Sequence, residues 1–485
     1  MTAIRIGDGK RFANYIGGVW VGSNRWSVNR NPSDTSDVVG EYAEANEEQT
    51  DAAIDAACRA FPSWSVSNVQ ERADILDGVG NTLLARREEL GRQLSREEGR
   101  ALPDALNEVS RAAQIFKFFA GEALRTAGEL VASTRTGVEV AVTREPVGVV
   151  GIISPWNVPL AIPAWKIAPA LAYGNCVVWK PAELVTASAW SLSQILADAG
   201  LPTGVFNLLM GPGRLIGPRI AESRQVNAIS FTGSVATGAG LAQQAVRSGK
   251  KLQLEMGGKN ALIVLDDADL DRAVNCALDG AYYWTGQRCT ASSRLLITEG
   301  IHDRFVAHLL EKMRALMVDH ALKAGTQIGP VVDQQQLDQD LRYIDIARAE
   351  GGTVFGGELL TRETPGFYLA PALVTETSPS MRINREEVFG PVASVIRVRD
   401  YDEALAVAND TEFGLSSGIC TNSLKHANHF RRHSQAGLVS VNLPTAGVDY
   451  HVPFGGRKAS NYGPREQGRY AAEFYTVVKT AYIYA

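Results

Sequence analysis

Two segments of this chain carry side chains suited to covalent chemistry. One is Gly286-Gln287-Arg288-Cys289-Thr290, a thiol beside a fixed positive charge; the other is Leu254-Glu255-Met256-Gly257-Gly258-Lys259, a carboxylate beside a glycine pair. A cysteine attacks as thiolate, and a free thiol of pKa roughly 8.5 is mostly protonated at neutral pH. Arg288 is therefore expected to stabilise the thiolate of Cys289, and Glu255 to act as a base. A nucleophile and a base on separate segments suit catalysis through a thioester. From the residues alone Cys289 reads either as nucleophile or as inert core thiol, although Gly286, Gln287 and Thr290 are poor core neighbours. Cys58, Cys176, Cys276 and Cys420 read as core thiols.

The flanking pattern says what must hold these groups. Between residues 147 and 256, short β-rich runs alternate with helical ones. Strands are expected at 147–153, 175–180, 205–210, 228–232 and 251–256, with helices at 161–172, 186–199 and 234–246. Continuous apolar strands alternating with helices predict an α/β fold with a doubly wound parallel sheet. Residues 46–125 read as helix-rich and 126–145 as an extended hairpin. Beyond 260 a second α/β pattern begins, with a strand at 261–265, a helix at 270–284 and then the Cys289 loop. No GxGxxG dinucleotide fingerprint follows the early strands. Gly233-Ser234-Val235-Ala236-Thr237-Gly238 instead links a strand to a helix, where N–H groups and the Ser234 hydroxyl can seat a pyrophosphate. Lys180 and Glu183 follow the strand through Trp179, where a ligand would cross a parallel sheet.

Bulk properties bound the answer. A chain of 485 residues exceeds one ordinary core, so two or three domains are expected. Apolar residues at 45% and charged residues at 21% suit an average globular protein, and a net charge of −5 offers no electrostatic reason for a nucleic-acid partner. Five scattered cysteines without a CxxC pair argue against a disulfide framework and for a reducing, cytoplasmic setting. Residues 1–12 lack the apolar core of a signal peptide. The apolar run 146–179 contains five prolines and one charge, Lys166, and so reads as buried structure and not as a membrane span. His426, His429 and His433 fall at helical spacing beside Arg431 and Arg432 and read as a solvated face; no metal site is expected.

Six motifs then occur in register: Ser154-Pro155-Trp156-Asn157-Val158-Pro159, Lys180-Pro181-Ala182-Glu183, Phe231-Thr232-Gly233-Ser234, the Glu255 and Cys289 segments, and Glu387-Val388-Phe389-Gly390-Pro391. In order and spacing they resemble the aldehyde dehydrogenase superfamily, from about residue 13 to the C-terminus. The resemblance implies that Cys289 attacks an aldehyde carbon. The resulting oxyanion would be held by the Asn157 amide and the Cys289 N–H, donors typically worth roughly 3–4 kcal/mol each to a transition state. On its own, Asn157 between two prolines reads as a turn former. Hydride passes to a nicotinamide, and Glu255 activates water to release the acid. A glutamate at this position implies hydrolysis, since acylating relatives that use coenzyme A generally lack it. Cofactor contacts are implied at Ile153, Trp156, Lys180, Glu183, Gly213, Gly233, Ser234, Glu387 and Phe389. Glu183 favours two ribose hydroxyls over a 2′-phosphate, hence NAD, with NADP tolerated through Lys180.

Within the superfamily, Asn442-Leu443-Pro444-Thr445-Ala446-Gly447-Val448-Asp449 and Ser460-Asn461-Tyr462-Gly463-Pro464-Arg465 depart from the general pattern. They look most like α-ketoglutaric semialdehyde (2,5-dioxopentanoate) dehydrogenases. Such a substrate carries a remote carboxylate, for which Arg288 is the expected anchor. Val158, Ala161, Trp165 and Tyr283 are the expected apolar walls. A broader semialdehyde, alkyl or aromatic aldehyde dehydrogenase is the alternative within this class; a cysteine thioester hydrolase or a non-catalytic binding protein are alternatives outside it. The implied architecture is a discontinuous NAD-binding domain (1–125 and 147–256), an α/β catalytic domain (257–465) and a small β oligomerisation arm (126–146 and 466–485). The arm implies a homodimer or homotetramer.

Overall fold

The computed structural model describes residues 11–484. Most of the N-terminal segment read above as no signal peptide therefore lies outside the described residues. Two large sheets organise the chain. In the first, strands Lys251–Glu255, Ala228–Thr232, Val149–Ile153, Cys176–Lys180 and Phe206–Leu208 lie side by side and parallel. Asn461–Tyr462 closes one edge antiparallel and Asn14–Ile16 the other, with Val19–Val21 outermost. Chain order reverses between Val149–Ile153 and Ala228–Thr232. That switch point opens a crevice at the carboxyl ends of the two strands, as the doubly wound reading requires.

The helix Ala161–Ala172 runs behind this sheet and is buried along its whole length. A helix apolar on all sides has no solvent face and must be enclosed. Its N-terminus is satisfied from outside, because Glu108 accepts the N–H groups of Leu160 (2.7 Å) and Ala161 (3.1 Å). Glu108 sits on Leu102–Ala123, whose inward face carries Ala105, Val109, Ala112, Phe116 and Phe119. The two helices thereby lock the turn that carries Asn157.

The second sheet has the order Thr353–Gly356, Ala372–Thr375, Val392–Val398, Ser292–Thr298, Asn260–Val264, Ser416–Cys420, Leu438–Val441, parallel except at its first pair. The segment from Glu255 to Asn260 is thus the crossing from one sheet to the other. A third sheet stands apart: Val138–Pro146 pairs antiparallel with Glu129–Ala132 on one side and Thr476–Tyr484 on the other.

Several elements differ from the sequence reading. The helix expected over 270–284 ends at Tyr282, and Trp284, Thr285 and Gly286 follow in left-handed conformation. Propensity favours continuing the helix, but the chain must turn sharply to deliver Cys289 to the crevice. Gly213–Glu222 is helical although Gly213, Gly217 and Pro218 argue against it; Ile216 and Ile220 are buried, and that packing overrides local preference. The strands Trp26–Asn31 and Asp34–Ala43 were not foreseen. Residues 466–475, grouped with the arm above, pack into the first core through Ala471, Phe474 and Tyr475. Among the described residues no helix is long and apolar enough to cross a membrane.

Candidate active site

Asn157 lies in the turn after Val149–Ile153. That turn is pinned by Ser154, whose N–H donates to Lys180 O (3.1 Å) and whose hydroxyl accepts from Trp179 Nε1 (2.9 Å). The Asn157 amide donates to Gln287 O at 3.0 Å, two residues before the thiol, and the side chain is buried. That is the one bond the amide nitrogen makes among the described residues. Asn260 ties the other side, its Nδ2 donating to the carbonyls of Cys289 (2.7 Å) and Ala291 (2.9 Å). Cys289 is thus suspended between the two sheets. The glycine pair explains itself here: a Cβ on Gly257 would overlap the Glu387 carboxylate, and one on Gly258 would lie 2.8 Å from Cys289 O.

Electrostatics set the protonation states. Burial pushes the Cys289 thiol up to about 12, helped by the negative charges of Glu387 and Glu255. Arg288 does not offset this. Its guanidinium turns back to the end of the preceding helix, bonding the carbonyls of Asp279 and Gly280 and lying 3.4 Å from the Asp279 carboxylate. Neither the expected thiolate stabilisation nor the expected substrate anchor is available to a side chain so engaged. Glu255 is also raised well above the usual carboxylate range, by burial first and then by Glu466. It accepts from Asn461 Nδ2 and from the Gly456 N–H (3.3 Å). Glu387, which accepts the Gly258 N–H at 2.9 Å, is raised by burial to about 7.

Two cavities open along the crevice. One of about 340 Å³ is lined by Trp156, Asn157, Gly233, Ser234, Cys289, Glu387 and Phe389, with Trp156 edge-on to Phe389 at 5.4 Å. The other, about 560 Å³, is lined by Ile153, Lys180, Glu183 and Gly213 among others. The nine residues expected to hold a cofactor therefore divide between two cavities of one cleft. Glu183 accepts the Gly213 N–H (2.9 Å) and stands 3.8 Å from Lys180 Nζ. Ser234 caps the helix Val235–Arg247 and accepts the Thr237 N–H (3.3 Å). Beside it, Thr232 Oγ1 is buried without a partner among the described residues. An unpaired hydroxyl, a helix N-terminus and a carboxylate along one cleft fit an extended dinucleotide.

The expected apolar walls are not brought together in these cavities. Val158 is half-buried against the first core, and Tyr283 packs on the second. Ala161 has no accessible surface and belongs to the core. Trp165 is buried with its ring stacked on Phe454 at 5.4 Å.

A buried polar chain was missed. Lys166 pairs with Glu466 and donates to Ser230 Oγ (2.8 Å), which donates to Gln253 Oε1 (2.8 Å), two residues before Glu255. Its signal in the sequence was Lys166 itself, the one charge in the apolar run 146–179. A charge is kept in such surroundings only with a partner.

Comparison with known proteins agrees with this geometry. The model of the aldehyde dehydrogenase family matches residues 20–481. The chain belongs to that family. It is 40% identical to an alpha-ketoglutaric semialdehyde dehydrogenase of Bacillus subtilis, over 99% of each chain. It is 42% identical to an alpha-ketoglutarate semialdehyde dehydrogenase of Haloferax volcanii, over 97% of this chain and 98% of the relative. Among solved structures, the betaine aldehyde dehydrogenase of Staphylococcus aureus in complex with NAD+ superposes with a TM-score of 0.95 at 33% identity, over 97% of this chain and 95% of the other. The aldehyde dehydrogenase fold thus accounts for both large sheets and the cleft between them.

Proposed function

We propose that this aldehyde dehydrogenase oxidises 2-oxoglutaric semialdehyde to 2-oxoglutarate with NAD and releases the free acid. One observation carries the reaction: Cys289 and Asn157 share a cavity with Glu387 and Phe389, and Glu255 stands at the sheet crossing that leads into it. The substrate rests on nearly full-length likeness to relatives named for that aldehyde. NAD rests on the paired cavities, on Glu183, and on the NAD+ complex of the structural relative.

When bound, the nicotinamide supplies the hydride acceptor. The chain's own residues do the rest. Cys289 adds to the aldehyde carbon, and the oxyanion meets the Asn157 amide and the Cys289 N–H. Loss of hydride leaves a thioester. Glu255 removes a proton from water, whose oxygen adds to the thioester carbon and frees the acid and the thiol. The thiol and this carboxylate are both raised by burial, so the reactive forms of both gain population as pH rises. The discontinuous NAD-binding domain, the catalytic domain and the arm are assigned on the same reading, with homo-oligomers formed through the arm. Five free cysteines suit a reducing cytoplasm.

The test is a kcat/KM panel of 2-oxoglutaric semialdehyde, succinic semialdehyde, hexanal and benzaldehyde with NAD and NADP. Cys289→Ala should abolish NADH formation. Glu255→Gln should give a stoichiometric burst of NADH and then a steady rate roughly 10²–10⁴-fold below wild type. Unimpaired steady turnover would remove Glu255 from its role, and NADH formation by Cys289→Ala would remove the thioester.

A further inference from the structure

With Arg288 engaged elsewhere, a different cation is free to meet the remote end of the substrate. Arg111 sits one helical turn beyond Glu108 on Leu102–Ala123, on the side that faces Ala161–Ala172. Its guanidinium lies over the ring of Trp165, 5.5 Å from the centroid. Its Nη2 makes one long contact, 3.4 Å, with Gln467 Oε1, and its Nε has no partner among the described residues. Glu108, one turn away, makes no ion pair with it among the described residues, being committed to Arg100 and to the N–H groups of Leu160 and Ala161. Burial loosens the hold of Arg111 on its proton, and Glu108, Asp449 and the Cys289 thiol oppose that; the helix that carries it is tied to the turn after Asn157 through the Glu108 bonds to Leu160 and Ala161.

Two neighbours share its condition. Trp165 Nε1 and Gln467 Nε2 are buried donors, also without acceptors among the described residues. Arg111 touches both side chains. Three unmatched N–H donors around one guanidinium carry a cost unless an acceptor arrives. The missing chemistry is anionic and rich in oxygen, and a 2-oxo acid offers two carboxylate oxygens and a ketone.

We infer that Arg111, with Trp165 and Gln467, binds the carboxylate end of the aldehyde and sets the preference for acid-terminated substrates. The assignment rests on the semialdehyde reading above. Arg111 is a specificity residue here and touches no reacting atom.

The experiment measures kcat/KM for 2-oxoglutaric semialdehyde and for hexanal in wild type, Arg111→Met and Arg111→Lys. A charge-assisted pair lost to methionine should lower the semialdehyde-to-hexanal ratio by roughly 10- to 150-fold, mainly through KM, with lysine recovering part of it. Binding of 2-oxoglutarate to wild type and Arg111→Met, followed by calorimetry, should weaken in parallel. If wild type prefers the semialdehyde but Arg111→Met keeps the same ratio, Arg111 is not the anchor and the semialdehyde reading stands. If wild type itself shows no preference over hexanal, the semialdehyde reading falls and the anchor falls with it. Residual hexanal oxidation reports that the variant is folded. Should it vanish, retained 2-oxoglutarate affinity in Arg111→Lys but not in a soluble Arg111→Met supports the anchor, and equal affinity in both overturns it.

Discussion

Glu387 shows how one carboxylate can be held in check for chemistry. Folding takes it from the ordinary value of 4.5 to about 7, chiefly by burial. The folded protein therefore binds its proton more tightly than the unfolded chain. The stability that goes with the protonated form is complete below about pH 4.5 and is lost as pH rises through about 7. Glu387→Gln keeps an acceptor for the Gly258 N–H but carries no charge. Its melting temperature should exceed that of wild type at about pH 8, with the gap closing toward pH 4.5. The same charge helps hold the Cys289 thiol up, so thiol alkylation in the variant should rise at lower pH than in wild type. A wild-type pH profile in both measurements would show that Glu387 is solvated.

At the scale of elements, the delivery of Cys289 depends on the turn 284–286. Trp284 and Thr285 adopt positive φ, which costs an L-residue roughly 1–2 kcal/mol each, and the strain persists because flanking structure over-determines it. Trp284 is gripped by Arg100, whose guanidinium stacks on its ring at 4.0 Å. Gly286 completes the turn, and a Cβ there would run into the carbonyl oxygen of Gly390. Gly286→Ala meets both a left-handed backbone and that backbone oxygen, which cannot swing aside as a side chain would. A melting temperature several degrees below wild type, with kcat depressed further than KM, is the expected result of calorimetry and kinetics. An unchanged melting temperature would mean that the loop relaxes freely.

Among the described residues, the third sheet leaves a run of apolar side chains uncovered. Thr476–Tyr484 exposes Val478, Tyr482, Ile483 and Tyr484 on an edge strand, and Leu130 and Val131 are exposed on the opposite edge. A three-stranded sheet with bare apolar side chains and free edges is ordinarily completed by another chain. On the proposed assembly through the arm, Val478→Lys combined with Ile483→Lys should leave monomers in analytical ultracentrifugation, with the aldehyde cleft still assembled. A wild-type protein that sediments as a monomer, or a double variant that does not dissociate, would end the arm's assignment to assembly.

Much of this was legible in the chain because local pattern and local chemistry coincide there. The helix Ala161–Ala172 and the strand Ala228–Thr232 have the bounds their apolar runs suggested. Cys289, Glu255 and Asn157 were marked by unusual neighbours and by motifs in register. What pairs with what was not legible. Arg288 is adjacent to the thiol in sequence, yet its side chain turns toward Asp279, because the left-handed turn before it reverses the chain. Arg111 and Gln467 are far apart in sequence and meet only because two helices and the 454–467 segment converge on Trp165. The raised Glu255 and the Lys166–Glu466 pair likewise depend on burial, which is a property of packed layers and not of any one segment. Sequence alone determined which groups could react; the tertiary structure decided their protonation and their partners, since desolvation and long-range contact exist only once the sheets have packed.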